Sequence, residues 1–287
     1  MALEEDSAVG VIEKNIAAEE IQTATGSMDK DDLPLPIIDL SMMHKIGSER
    51  EMFIKHLRNV LHHHGFFYLS GHGVAPDLIR ETVYAAKTFF SLPLEAKLEI
   101  DIVRSPHFRG YTRAGGEITG GTQDWREQVD FDREEPLQTI EADTPRWKRT
   151  LGPNQWPAAM PALRATILRY QNEVTRVAID VLKAIALALG QAEDFFEDLY
   201  AQGPRQHLKI IRYPGRDLAG SDQGVGAHKD GGLITILLQR ERAGLRVQTH
   251  EGSWVEVPPC PVRSSSIPAN CWNWRQTALS APISMRR

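Results

Sequence analysis

The stretch with the clearest capacity for chemistry is Gly226-Ala227-His228-Lys229-Asp230, followed by Gly231-Gly232 and the apolar run Leu233-Ile234-Thr235-Ile236-Leu237-Leu238. Side chains two apart on an extended chain project to the same side, so the imidazole of His228 and the carboxylate of Asp230 can grip one ion together. Imidazole and carboxylate are two of the three donors in a 2-His-1-carboxylate facial triad, which holds non-haem Fe(II) and leaves coordination positions open. His-x-Asp also recurs by chance as an ordinary loop feature. Its weight here comes from the β-branched run behind it, which reads as a buried strand able to anchor the pair.

A second group of candidates lies between Arg104 and Pro136, a stretch rich in Gly and Thr that reads as a long loop. Loops of this length in a compact domain are functional or mobile. Within it, Phe108-Arg109-Gly110-Tyr111 and Asp124-Trp125-Arg126-Glu127 combine aromatic and charged groups that could line a pocket. Arg109, Tyr111 and Arg126 are the candidates for the substrate side, and two arginines suit an acidic or polar small molecule. The competing reading is a surface loop pinned by Tyr111 and Trp125. His62-His63-His64 ends a predicted helix beside Gly65 and is neither a tag nor a metal site, while His207 begins a predicted strand. After Asp230 the one histidine is His250, in a predicted turn.

The elements that must position these groups follow from the pattern of apolar residues. Pro36-Ile37-Ile38-Asp39-Leu40 reads as a short strand. Ser48 is placed to cap a helix carrying Met52, Phe53, Leu57, Val60 and Leu61, ended by Gly65. Phe66-Phe67-Tyr68-Leu69 reads as a strand, and a helix from about Pro76 to Phe90 follows. From Pro161 to Leu189, Leu163, Ile167, Tyr170, Val174, Val177, Val181, Ile185 and Leu189 recur at helical spacing before Gly190. A shorter helix is expected from Ala192 to Tyr200. Strands are expected at His207 to Tyr213, Leu233 to Gln239, Gly244 to Thr249 and Trp254 to Val257, the last two joined by a hairpin at His250-Glu251-Gly252-Ser253.

Composition is that of an ordinary globular protein with enough apolar material for a sizeable core. The net charge of -5 gives no reason to expect nucleic acid or an anionic membrane as partner. No apolar run is long enough to span a bilayer, and the start lacks the pattern of a signal peptide. Two cysteines, Cys260 and Cys271, do not make a disulfide framework, so a monomer in the reducing cytoplasm is the expectation. Residues 1–32 are polar and acidic and read as a disordered tail.

Taken in order, the motifs resemble the isopenicillin N synthase-like family of Fe(II)- and 2-oxoglutarate-dependent oxygenases. The resemblance rests on Leu35-Pro36-Ile37-Ile38-Asp39, on Gly65 to Val74 (GFFYLSGHGV), and on Ile211-Arg212-Tyr213-Pro214. It continues through His228-Lys229-Asp230-Gly231-Gly232-Leu233-Ile234-Thr235, Gly244-Leu245-Arg246-Val247-Gln248 and Gly252 to Pro259 (GSWVEVPP). It implies an α+β fold, a double-stranded β-helix (jelly roll) core flanked by helices. The expected layout is an αβ region with the substrate loop at 33–150 and a helix plus incomplete jelly roll at 151–261. It implies His228 and Asp230 as iron ligands, Tyr213 in the 2-oxoglutarate pocket, O2 as the second cosubstrate and a small molecule as substrate. His72 falls in the family's strand-end turn, where a structural role is expected.

The family also calls for a distal His and then an Arg-x-Ser that binds 2-oxoglutarate. His250 comes too early for the first, and Arg263-Ser264-Ser265 too early for the second. Past Pro261 the strand pattern collapses, so 262–287 reads as an aberrant tail, with the last core strands missing. The genetic code allows GC-rich codons for the stretch from Arg263 that read, two bases later, as Phe-Val-Val-Asn-Pro-Gly-Glu-Leu-Leu-Glu-Leu-Ala-Thr. That string resembles the family's next strand and turn, and a single-base deletion near the Val262 codon accounts for it. The expected outcome is an oxygenase of strongly reduced activity; the alternative is a catalytically dead remnant with at most weak metal binding.

Overall fold

The structure, a computed structural model, describes residues 33–215, 220–221, 223–239 and 243–259, with the backbone of two further strands at 267–271 and 285–286. The tail expected at 1–32 and the proposed lesion near Val262 lie outside the described residues.

The strand Phe66–Ser70, here β2, is where two of the three hydrophobic clusters among the described residues meet. Alternation sends Phe67 and Leu69 to one face and Phe66 and Tyr68 to the other, and all four are buried. Phe67 and Leu69 pack on residues of the helices Ser48–His63 (α1), Pro76–Phe90 (α2) and Ala162–Ala188 (α4), among them Phe53, Leu57, Ile79, Val177 and Val181. The short helix Leu94–Leu98 is α3. Phe66 and Tyr68 pack on Leu245 and Val247 of Leu245–Gln248 (β9) and Val257 of Trp254–Val257 (β10). Burying side chains on both faces makes β2 the common wall of two clusters. A helix layer covers one side and a hairpin covers the other, as the layered architecture of the expected fold requires.

β2 pairs in parallel with Ile37–Asp39 (β1), and Ile234–Ile236 (β8) completes the same sheet at its far edge. β9 and β10 are antiparallel, Trp254 opposite Gln248 and Val257 opposite Leu245, closed by the predicted turn. A third sheet, in the order β3-β6-β7, joins Gly110–Thr112 (β3), Glu127–Asp132 (β6) and His207–Arg212 (β7). Its inner face packs Tyr111, Val129, Phe131 and Ile210 against Phe89, Leu163 and Ile167. Glu117–Thr119 (β4) and Thr122–Asp124 (β5) form a separate hairpin. Among the described residues no helix is long and apolar enough to cross a membrane.

Several expectations are corrected. The supposed loop from Arg104 to Pro136 holds four strands. β6 was hidden because Glu127, Gln128, Asp130 and Asp132 make it look polar, yet all six of its residues are buried. Buried polar groups are tolerated when paired; Glu127, Asp130 and Asp132 are, and Gln128 donates to Glu117 and Asp130, its Oε1 alone being left without a partner. Ser48 does not cap α1; Gly47, at positive φ, holds the N-cap position, and Ser48 is already helical. The helix expected from Ala192 to Tyr200 is reduced to a single 3-10 turn, Glu197–Leu199. Phe195 and Leu199 stay exposed there, so no apolar face is buried to stabilise a short helix.

The tail is corrected in part. Ile267–Cys271 (β11) lies between β2 and β8, antiparallel to both, and Met285–Arg286 (β12) runs along β9. β2 and β8 would otherwise show open edges, whose unpaired N–H and C=O groups recruit a strand. The occupant is a compromise. Pro268, opposite Tyr68, has no N–H to give to the ladder at a central position.

Candidate metal centre

His228 and Asp230 sit in an irregular segment just ahead of β8, not on the strand. Their side chains converge: His228 Nε2 lies 3.5 Å from Asp230 Oδ1. The other ring nitrogen, Nδ1, lies 2.9 Å from the carbonyl oxygen of Gly226. A carbonyl can only accept, so Nδ1 carries the proton and Nε2 is the atom presented beside the carboxylate. The hydrogen bond to Asp230 holds the His228 pKa above its ordinary value, against burial, which pushes it down. Hydrogen bonds from both ring nitrogens favour the protonated imidazole when no ion is present. On losing the Nε2 proton the ring offers a nitrogen beside a carboxylate oxygen, and the two partly buried side chains fit two positions of a facial triad.

Among the described residues no group of three His, Cys, Asp or Glu side chains is placed to share an ion. His250 lies in the turn between β9 and β10, and its electrostatic neighbour is His64. Burial first, then His63 and His250, lower the His64 pKa.

Arg126 and Tyr213 belong to the same neighbourhood. Arg126, nearly buried, donates from Nη2 to Glu117 at 2.7 Å, lies 3.7 Å from Asp124 and is hydrogen-bonded to Tyr213. Burial pulls its pKa down, but Glu117 and Tyr213 outweigh that and raise it. Its charge reaches His228, whose protonated form it disfavours. The structure thus brings Arg126, Tyr213, His228 and Asp230 together.

Arg109 and Tyr111, expected on the substrate side, are placed elsewhere. Arg109 is 1 % exposed; it donates to the carbonyls of Thr150 and Gly152 and pairs with Asp132 at 3.7 Å. Tyr111 is 2 % exposed in the core, its hydroxyl 2.7 Å from Glu127 Oε2. Burial and that bond push its pKa up. The Arg109 Nη atoms and the Tyr111 hydroxyl tie the chain to itself, and the remaining Arg109 Nε is buried, so neither residue has a donor facing solvent.

Gln223 and Glu117, which sequence reasoning missed, and Asp124, which it named only within a pocket-lining group, bear on the site. Asp124, fully buried, accepts from Thr119 Oγ1 at 2.6 Å, Gln223 Nε2 at 2.9 Å and the Gly226 N–H at 3.0 Å. Those bonds hold its pKa below the usual carboxylate value although burial pushes it up. Gln223 also donates to the carbonyls of Thr119 and Thr122, both at 3.1 Å, and so grips the β4–β5 turn. Glu117 receives Arg126 and Gln128. The available signal was Thr119-Gly120-Gly121-Thr122, a two-residue glycine turn of the kind that closes a hairpin.

Residues 35–159 match the family described as non-haem dioxygenase in morphine synthesis, N-terminal, and residues 204–271 match the 2OG-Fe(II) oxygenase superfamily. The 2-oxoglutarate-dependent dioxygenase frbJ of Dothideomycetidae sp. is 38 % identical over 231 residues, covering 78 % of this chain and 61 % of that protein. Homoarginine-6-hydroxylase 2-ODD-C23 of Glycine max is 33 % identical over 242 residues, 79 % of this chain and 72 % of that one. Among solved structures, a putative 2OG-Fe(II) oxygenase family protein from Caulobacter crescentus superposes with a TM-score of 0.71. It is 27 % identical, and the match covers 89 % of this chain and 80 % of that one. A full-length Neurospora crassa protein, solved in complex with alpha-KG and 5-formyluracil, shares the fold at a TM-score of 0.71 and 24 % identity, over 90 % of this chain and 79 % of that one. This chain belongs to the 2OG-Fe(II) oxygenase superfamily.

Proposed function

We propose that the chain binds Fe(II) through His228 and Asp230 and, with 2-oxoglutarate and O2, oxidises a small polar molecule. The observation that carries the reading is the 3.5 Å approach of His228 Nε2 to Asp230 Oδ1, with the far side of the ring fixed by Gly226. Bound iron supplies the oxidative decarboxylation of 2-oxoglutarate to succinate and CO2, coupled to attack on a C–H bond. The chain's own residues hold the reactants: Tyr213 lines the 2-oxoglutarate side, and Arg126 stands on the substrate side. Arg126 is already matched by Glu117 and Asp124, which favours a polar substrate over a strongly acidic one. Relatives in soybean, Arabidopsis thaliana and rice that carry the name homoarginine-6-hydroxylase fit a substrate of that kind. The same reading has the protein act as a cytoplasmic monomer, without nucleic acid.

A second reading is favoured by the donor count: with two converging side chains, the chain is a weak metal binder that keeps the fold and has lost turnover. Succinate release from 2-oxoglutarate, with iron and no added substrate, separates the two. Slow release abolished by His228→Ala supports the first; metal binding without succinate supports the second. Resequencing the coding DNA from the Pro258 codon onward tests the proposed deletion, which a restored frame encoding a His and an Arg-x-Ser would establish.

A further inference from the structure

Both polar backbone groups of Gly226 are engaged. Its C=O accepts from the His228 ring at 2.9 Å, and its N–H points the other way, to Asp124 Oδ1 at 3.0 Å. Asp124 lies at the end of β5, 102 residues earlier in the chain. The hairpin that carries it packs directly on Gly226. A Cβ added there would come within 2.6 Å of Thr119 Cγ2 and 2.7 Å of Thr119 Cβ. Trp125 fastens the same junction from beside it, its N–H on the Gln223 carbonyl at 2.8 Å and its ring against Gly220.

We propose that Asp124 is the positioning residue of the metal centre, setting the orientation of the His228 ring through Gly226. A carboxylate with no solvent exposure is costly unless its oxygens are filled by donors. Here Thr119, Gln223 and Gly226 fill them, so the loop carrying His228 moves only by breaking a bond to a buried charge. The ring is thereby held with Nδ1–H on the Gly226 carbonyl and Nε2 beside Asp230 before any ion arrives. Groups that orient a ligating histidine in this way govern metal affinity without touching the metal. The inference rests on the reading of His228 and Asp230 as ligands.

The test uses the full chain, with Mn(II) alone as the probe, and compares wild type with Asp124→Asn, Thr119→Val and His228→Ala. Mn(II) affinity is read from the spin-resonance signal of the free ion, and the placement of the His228 ring in metal-free protein from nuclear Overhauser contacts between its ring protons and the residues around Gly226. Asp124→Asn is expected to weaken Mn(II) binding about 10- to 100-fold and to weaken or abolish those ring contacts. Thr119→Val, which removes one donor to Asp124 at nearly constant shape, gives a smaller change in the same direction and guards against a misfolded Asn variant. The proposal is overturned if both variants keep the wild-type ring contacts. If wild type binds no Mn(II), or His228→Ala binds it equally well, the metal-centre reading fails, and the ring-contact comparison still decides the role of Asp124.

Discussion

Glu127 offers a sharp test of how the third sheet is held under the site. Its side chain is 7 % exposed and meets three donors: Lys97 Nζ at 2.8 Å, the Tyr111 hydroxyl at 2.7 Å and Arg212 Nη1 at 3.0 Å. Lys97, with a side chain 9 % exposed, has one further acceptor, the Phe90 carbonyl at 3.2 Å. Glu127→Gln keeps the shape and deletes the charge, stranding a buried ammonium. Removing one partner of a buried pair costs ~3–5 kcal/mol. The low end applies, because Lys97 keeps the Phe90 carbonyl, Gln still accepts one bond, and Arg212, 42 % exposed, is rehydrated. A loss of about 3 kcal/mol corresponds to a fall in Tm of roughly 6–12 °C for a domain of this size. Urea unfolding followed by far-UV circular dichroism measures it. Lys97→Met combined with Glu127→Leu removes both charges together and is expected to recover part of the loss. A Glu127→Gln protein within about 0.5 kcal/mol of wild type, the range of an ordinary surface change, would refute the argument.

Asp130 should make stability depend on acid. Burial raises its pKa, but the hydrogen bond from His207 and the charge of Lys209 outweigh burial and hold it below the ordinary value. A depressed folded pKa stabilises above the unfolded value of about 3.9 and loses that contribution as pH falls through the folded pKa. Urea unfolding between pH 5 and pH 2 should therefore show a shallower decline in Asp130→Asn than in wild type; parallel declines would count against the pairing. Arg109→Met should cost ~2–4 kcal/mol, because it leaves the Thr150 carbonyl without its donor and the buried Asp132 carboxylate with the Arg133 N–H in place of a guanidinium. It should leave Mn(II) affinity unchanged, whereas a matching loss of affinity would return Arg109 to the site.

What could be read from the chain and what could not divide along physical lines. α4 was legible because a long stripe of Leu, Ile and Val at one period has no competing explanation, and the structure buries Leu163, Ile167, Val177 and Val181 as that stripe requires. β2 was legible for the same reason, with four apolar residues in a row. β6 was not, since its burial depends on partners far away in sequence, such as Lys97 and His207. Arg109 was misassigned because an arginine among glycines reads as exposed, and only the fold reveals the carbonyls of Thr150 and Gly152 that receive it. Within the site, local spacing exposed the His228 and Asp230 pair, whereas Asp124 is joined to that pair across 102 residues by one backbone hydrogen bond. No local pattern records such a contact. Ile267–Cys271 shows the reverse case, where a segment with weak strand character, including Pro268, is drawn into a sheet by the open edges beside it.

The most direct measurement is Mn(II) and Fe(II) affinity of the full chain under anaerobic conditions, for wild type, His228→Ala, Asp230→Ala and His250→Ala. The account expects one weak site, lost in each of the first two variants and untouched in the third. Binding that survives both His228→Ala and Asp230→Ala, or that disappears with His250→Ala, would contradict the claim that this pair is the metal centre.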